Sequence, residues 1–85
     1  MQHYEHSHAR EVELRRVDPC RDCFRRYHLA ETRTLYGERG LLITWGRIGQ
    51  PARTRLETFA NDVDAAARLD ELLSRRQAHG YRAQG

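Results

Sequence analysis

The sequence predicts an α+β domain, an antiparallel sheet of four to five strands with one C-terminal helix packed on one face. Two patterns predict it: apolar and polar residues alternate at period two in several segments before Phe59, and the period becomes 3.6 residues after it. With only 85 residues, the chain has one small core and little room for a deep substrate pocket. We expect a single domain over residues 10–82, a disordered tail over residues 1–9 and a short C-terminal tail over residues 83–85.

Four strands follow from the alternating segments and the turn signals between them. Asp18-Pro19 ends the first segment, and Gly37 and Gly40 bracket a polar turn after the second. Gly49-Gln50-Pro51 breaks the chain before the fourth. The predicted strands are Arg10 to Val17, Phe24 to Thr32, Leu41 to Ile48 and Arg53 to Phe59.

A helix is predicted after the fourth strand. Asn61 or Asp62 is suited to the N-cap, and Asp64 would lie in the first turn, where the helix dipole favours an anion. Gly80 suits the left-handed position that closes a helix, so Tyr81 would fold back onto the sheet. The residues with helical spacing are Ala66, Leu69, Leu72, Leu73 and Arg76.

Positive charge is concentrated in the middle of the sequence. All 15 basic residues are arginine, and 12 carboxylates leave a formal net charge of +3. Residues 24–59 hold seven arginines against three carboxylates, whereas the flanking segments are nearly balanced. Such a local field favours phosphate-bearing partners, because neutralised phosphates release counterions. An ordinary solubility charge is the alternative interpretation.

Membrane insertion is not expected. The longest aliphatic run is Leu41-Leu42-Ile43, and a membrane helix needs roughly 20 apolar residues. No apolar signal segment follows Met1. We therefore expect a monomeric, cytoplasmic protein that makes no membrane contact.

The residues that most often carry catalysis or metal binding do not form a known signature. Cys20 and Cys23 make a C-x-x-C pair without a second ligand pair, and we expect both thiols to pack as small apolar residues in a turn. The tract His3, His6 and His8 lacks a rigid fourth ligand. No nucleophile with a base in reach and no glycine-rich phosphate loop is recognisable. We predict a non-enzymatic protein with no metal, no cofactor and no small-molecule substrate.

The most distinctive feature is Trp45-Gly46-Arg47 at the end of the third predicted strand. A flat ring beside a residue without a side chain leaves room for a planar partner, and Arg47 would share the face of Trp45 and hold a phosphate. The alternative is a core tryptophan beside a bulge glycine, with Arg47 merely solvated.

The sequence resembles the WGR domain, a small module named for its Trp-Gly-Arg signature. The resemblance covers about residues 10–82. Among members of the family, the chain most resembles free-standing bacterial proteins of about this size. The segments that carry it are Val17-Asp18-Pro19, Arg25-Arg26-Tyr27 with Leu29, Leu35-Tyr36-Gly37, Trp45-Gly46-Arg47-Ile48-Gly49, Arg53-Thr54-Arg55, Asp64-Ala65-Ala66 and Gly80-Tyr81.

The resemblance implies nucleic-acid binding, with DNA favoured over RNA. In poly(ADP-ribose) polymerases the WGR domain helps to recognise DNA ends, and its tryptophan packs against the terminal nucleotide. No catalytic domain fits in this length, so ADP-ribosyl transfer is not implied. We predict recognition of DNA ends, nicks or single-stranded segments through Trp45, Gly46 and Arg47, with Arg39, Arg53 and Arg55 as an electrostatic rim.

Two departures from the family pattern bear on this prediction. Ala52 stands where relatives usually have a turn glycine, so it must avoid a positive φ. Ile43 stands where several relatives carry a basic residue, which adds apolar surface beside Trp45. The alternative function is therefore a protein-interaction module that docks through Ile43 and Trp45.

Overall fold

The computed structural model describes residues 9–84 and shows a five-stranded antiparallel sheet with one helix on one of its faces. This confirms the predicted fold class. Residues 1–8 of the predicted N-terminal tail, with its three histidines, lie outside the described residues. The strand order is β4-β3-β2-β1-β5. The elements are β1 (Glu11–Asp18), β2 (Cys23–Arg33), β3 (Arg39–Arg47), β4 (Arg53–Phe59), α1 (Asp62–Ala78) and β5 (Arg82–Ala83).

The turn between β2 and β3 is tighter than predicted. The Thr34 hydroxyl accepts hydrogen bonds from the backbone N–H groups of Tyr36 and Glu38, at 3.3 and 3.2 Å. Gly40 was expected to bracket this turn, but it lies within β3. A Cβ there would come within 3.1 Å of a Thr32 methyl and 3.2 Å of Leu56, so Gly40 is needed for packing between neighbouring strands.

The fifth strand uses residues beyond the end of the predicted domain. Ala83 pairs with Leu14 of β1, and the Gln84 N–H donates to the Glu13 carbonyl at 2.8 Å. A strand of two residues has no periodicity, so the sequence could not predict it. Tyr81 precedes β5 and returns to the sheet as expected, its ring centre 6.2 Å from that of Tyr27.

The core lies between the sheet and α1, and we call this side of the sheet the helix face and the opposite side the open face. Residues paired across antiparallel strands point to the same side, so the strand register decides which side chains meet the helix. Leu69 and Leu72 of α1 pack on this layer. The buried residues of the sheet are Leu14, Tyr27, Leu29, Leu41 and Ile43.

Helix α1 begins at the predicted N-cap, and ion pairs attach it to other parts of the domain. The Asn61 side chain accepts a hydrogen bond from the Asp64 N–H at 2.9 Å, which caps the first turn. Arg10 contacts Asp70 at 2.6 Å, and Arg68 donates to Glu57 at 2.9 Å. These contacts therefore tie the helix to β4 and to the residue that precedes β1. No helix in residues 9–84 has the length and apolar character of a membrane span.

The contact between Arg68 and Glu57 makes stability depend on pH. Hydrogen bonding from Arg68, helped by Arg55, lowers the pKa of Glu57 below its ordinary value of 4.5. A carboxylate with a depressed pKa stabilises the fold above its unfolded pKa, and this contribution is lost as pH falls through the folded value. As the pH is lowered below about 4.5, we expect the melting temperature to decrease, and we expect a less steep decrease in Glu57→Gln. Thermal melts between about pH 3 and 7 would test this, and parallel profiles for the two proteins would contradict it.

Candidate nucleic-acid interface

Trp45 lies at the edge of the core, on the helix face of β3. It pairs across the sheet with Tyr27 on one side and Arg53 on the other. The ring is half-buried and packs against the core cluster, so it has both a buried part and a part open to solvent. The guanidinium of Arg55 lies over the ring, 5.8 Å from its centre. Trp45 thus combines a packing role with an accessible aromatic surface.

Arg47 is held by the turn between β1 and β2. Its guanidinium donates to the Asp22 carboxylate at 3.1 Å and to the Asp22 carbonyl oxygen at 3.3 Å, and it lies over the ring of Phe24 at 5.3 Å. Asp22 has a φ of 52°, a left-handed conformation that aspartate tolerates better than most residues. The guanidinium over the ring of Trp45 is thus that of Arg55 and not that of Arg47, which is engaged by a carboxylate.

Gly46 is required by the turn that follows it. A Cβ at this position would lie 3.3 Å from the Ala52 Cα and 3.6 Å from the Pro51 carbonyl oxygen. The space that the sequence left for a planar partner is thus taken by the protein's own turn between β3 and β4. Ala52 avoids a positive φ, as expected, because Gly49 adopts the left-handed conformation with φ 84°.

The predicted rim arginines separate into two places. Arg53 and Arg55 are exposed on the helix face of β4, where Arg53 is the partner of Trp45. Arg55 contacts Glu57 at 3.1 Å. Arg39 begins β3 at the opposite end of the sheet and contacts Asp62 at the start of α1. The structure therefore brings Arg53 and Arg55 to Trp45 and does not bring Arg39 there.

Three arginines that stand side by side on adjacent strands form the most unusual feature of this region. Arg16 of β1 pairs with Arg25 of β2, and Arg25 pairs with Arg47 of β3. We call these three residues the arginine row. It lies next to the row formed by Tyr27 and Trp45. Arg16 and Arg25 were not among the predicted site residues, because only the register shows that they align with Arg47.

Arg76 at the end of α1 adds a further cation beside the arginine row. Its guanidinium lies over the rings of Tyr27 and Tyr81, with 5.0 and 5.9 Å to the ring centres. Its Nε is buried and has no hydrogen-bond partner among residues 9–84. A Cβ on Gly80 would come within 3.5 Å of the Arg16 Nε, so the Arg16 side chain runs along the end of the helix. The sequence placed Arg76 in the helical spacing and in the last turn of the helix, and it did not indicate the contacts with Tyr27 and Tyr81.

Four of these arginines lack an acidic partner. Within the described part of the chain, no carboxylate lies within 4.0 Å of the guanidiniums of the following residues: Arg16, Arg25, Arg53 and Arg76. By contrast, Arg26, next to Arg25 but on the open face, contacts Glu13 at 3.2 Å. The end of the helix face around Trp45 is therefore positively charged, because its cations are only partly neutralised.

The two cysteines lie near this region, at the turn between β1 and β2 and at the start of β2. Cys20 is exposed, so the expectation that it packs as an apolar residue is wrong: it belongs to a short 3-10 turn, Pro19–Arg21, that has no buried residue. Cys23 is half-buried, with its Sγ 4.0 Å from the Arg16 carbonyl oxygen. His28 lies on the open face with Glu11 at 2.7 Å. Across residues 9–84, no three His, Cys, Asp or Glu side chains are grouped as metal ligands.

Comparisons with known proteins point to one family. The family model described as the WGR domain matches residues 10–85. An uncharacterized protein of Sinorhizobium fredii, y4dW, is 33% identical over 69 residues, which are 81% of this chain and 34% of that protein. The chain thus spans about a third of the length of this relative. No solved structure shows significant similarity to the chain.

Proposed function

The chain belongs to the WGR domain family, whose members are generally nucleic-acid-binding modules, and from this premise we propose that it recognises DNA ends, nicks or single-stranded segments through Trp45 and the arginines beside it. The WGR domain is a binding module and not a catalytic one. In this proposal the accessible part of the Trp45 ring contacts a base or sugar, and neighbouring guanidiniums hold backbone phosphates.

The observation that carries the proposal is the placement of the only tryptophan beside cations that lack carboxylate partners. Arg53 is paired with Trp45 across the sheet and is exposed. It is therefore available to a phosphate without first breaking an ion pair. Proteins that bind single-stranded nucleic acids combine aromatic rings, which stack on bases, with nearby cations, which contact the phosphate backbone.

The two other predicted arginines would exchange partners on binding. Arg47 would leave or share Asp22, and Arg55 would leave or share Glu57. Because each would give up a carboxylate, we expect Arg53→Ala to weaken binding more than Arg55→Ala. Gly46 would act indirectly, by letting the turn at Ala52 close against β3.

The alternative, docking on a protein partner, has lost one of its two expected anchors. Ile43 was expected to add apolar surface beside Trp45, and this was wrong, because its side chain is fully buried between the sheet and α1. The periodicity of β3 places Ile43 on the same face as Trp45, but the helix covers that part of the face.

Titration at different salt concentrations tests the proposal. Binding to blunt duplex, nicked duplex, single-stranded DNA and RNA would be followed by the fluorescence of Trp45. If three guanidiniums contact phosphate, the affinity for a single strand should fall about 20-fold between about 50 and 200 mM salt. A closed circular duplex serves as the reference without ends, and stronger binding to ends, nicks or single strands than to this reference is expected. Flat traces with all four ligands would refute the proposal.

A further inference from the structure

We propose that Arg16 and Arg25 form a second phosphate-binding site in line with Arg47, so that the bound strand crosses the sheet from β3 to β1 and reaches the end of α1. This inference rests on the proposed function and extends it, because it names residues outside the Trp-Gly-Arg signature and fixes the direction of the nucleic-acid backbone. The ligand class is a nucleic-acid strand recognised through consecutive phosphates.

The register provides the geometry. Arg16, Arg25 and Arg47 are direct neighbours on three adjacent strands, so the arginine row runs perpendicular to the strands. Adjacent strands lie about 4.8 Å apart, and three strands therefore space the row over about 10 Å. A strand whose nucleotide contacts Trp45 would have its backbone over this row, one step along the sheet from the ring, and the Arg47 guanidinium would leave or share Asp22 and the Phe24 ring to reach it.

The charge pattern indicates that the row is built for an anion. Like charges directly opposite each other destabilise a sheet, and two such pairs share Arg25. On the open face of the same two strands Arg15 also stands opposite Arg26, but there Glu13 contacts both guanidiniums, at 3.7 and 3.2 Å. The arginine pair of the open face is thus neutralised by a carboxylate, whereas Arg16 and Arg25 on the helix face have none within 4.0 Å among residues 9–84 and stay available to an external anion.

The residues around the arginine row indicate that the anion that binds it is an external phosphate and not a carboxylate of the protein itself. The carboxylates at this end are Asp18, which contacts Arg21, and Asp22, which contacts Arg47. Neither lies within 4.0 Å of the guanidinium of Arg16 or Arg25. Arg76, stacked on Tyr27 and Tyr81, adds positive charge at the β1 side of the row.

The direction of the strand makes the inference specific. If the backbone instead followed β3 toward its first residue, it would pass Arg33 and Arg39, which pair at the other end of the sheet. Arg33 lies on β2 and on the same face as Arg25, it is exposed, and among residues 9–84 no carboxylate lies within 4.0 Å of its guanidinium. Arg33 is thus a matched control for Arg25.

The experiment compares Arg16→Ala, Arg25→Ala and Arg33→Ala with the unaltered protein. The probe is a fluorescein-labelled DNA of about 15 base pairs with a single-stranded overhang of about 10 nucleotides, which offers an end, a duplex and a single strand. Anisotropy titrations at several salt concentrations give the slope of log affinity against log salt. We expect a slope of about −3 or steeper for the unaltered protein, reduced in magnitude by about 0.7–0.9 in Arg16→Ala and in Arg25→Ala and unchanged in Arg33→Ala.

The possible outcomes separate the two proposals. Binding by the unaltered protein with equal slopes for Arg25→Ala and Arg33→Ala would overturn this inference and leave the proposed function standing. No binding by the unaltered protein would overturn both. Circular dichroism melts check the fold, and the glutamine variant of the same position, such as Arg16→Gln or Arg25→Gln, which keeps hydrogen bonding without charge, replaces an alanine variant that does not fold. It is expected to show the same reduced slope.

Discussion

Replacing Trp45 with alanine is expected to weaken both nucleic-acid binding and the fold. Loss of a stacked or packed nucleotide contact costs about 1–3 kcal/mol, which is roughly 5- to 150-fold in affinity. Because the half-buried ring also packs against the core, we expect a loss of about 2–4 kcal/mol in the free energy of unfolding, below or near the range for fully buried tryptophan. Fluorescence is lost with the ring, so affinity is measured by anisotropy of labelled DNA and stability by circular dichroism.

Two further variants separate the two effects of Trp45→Ala. Leu73 also packs against the core, but it belongs to α1 and is not one of the residues proposed to contact DNA. Leu73→Ala should therefore lower stability and leave affinity unchanged at temperatures where the protein is folded. Trp45→Phe should retain part of both properties. If Leu73→Ala weakened DNA binding as much as Trp45→Ala, the effect would be one of stability, and contact between the ring and DNA would be contradicted.

The fold was largely accessible from sequence because its elements carry strong local signals. Alternation placed four strands close to their observed bounds, and the change of period after Phe59 placed the helix. The misses have local causes. Strand β5 is too short to show a pattern, and Gly40, although it resembles a turn residue, is required by the close approach of Thr32 and Leu56.

The candidate site was harder to predict from the sequence than the fold, because it depends on which residues become neighbours in the sheet. The sequence selected Trp45, Arg47, Arg53 and Arg55, which lie at one end of the sheet, and also Arg39, which lies at the other. Counting charge along the chain assigned the positive excess to residues 24–59, yet the cations near Trp45 include members from outside this segment. Those members are Arg16 and Arg76, contributed by β1 and α1.

Reversing the charge of Arg25 should change stability and binding in opposite directions. In Arg25→Glu a carboxylate would stand between Arg16 and Arg47, replacing two like-charge pairs by two opposite-charge pairs. Since Arg25 is exposed, solvent limits the gain to about 0.5–1 kcal/mol, or a rise of a few degrees in melting temperature. A negative charge on the path of the phosphates should weaken DNA binding by about 100-fold, or about 3 kcal/mol.

The matched control is Arg33→Glu, which changes the net charge equally and lies on the same face of the same strand. If the arginine row binds phosphate, Arg33→Glu should lose only the few-fold affinity that follows from the lower net charge of the protein, and this loss should disappear at high salt. Equal losses in both variants would indicate that DNA responds to overall charge and not to the row. If the free energy of unfolding rises in Arg25→Glu while DNA affinity falls, the arginines repel each other in the free protein. Their repulsion is then retained because a bound anion relieves it.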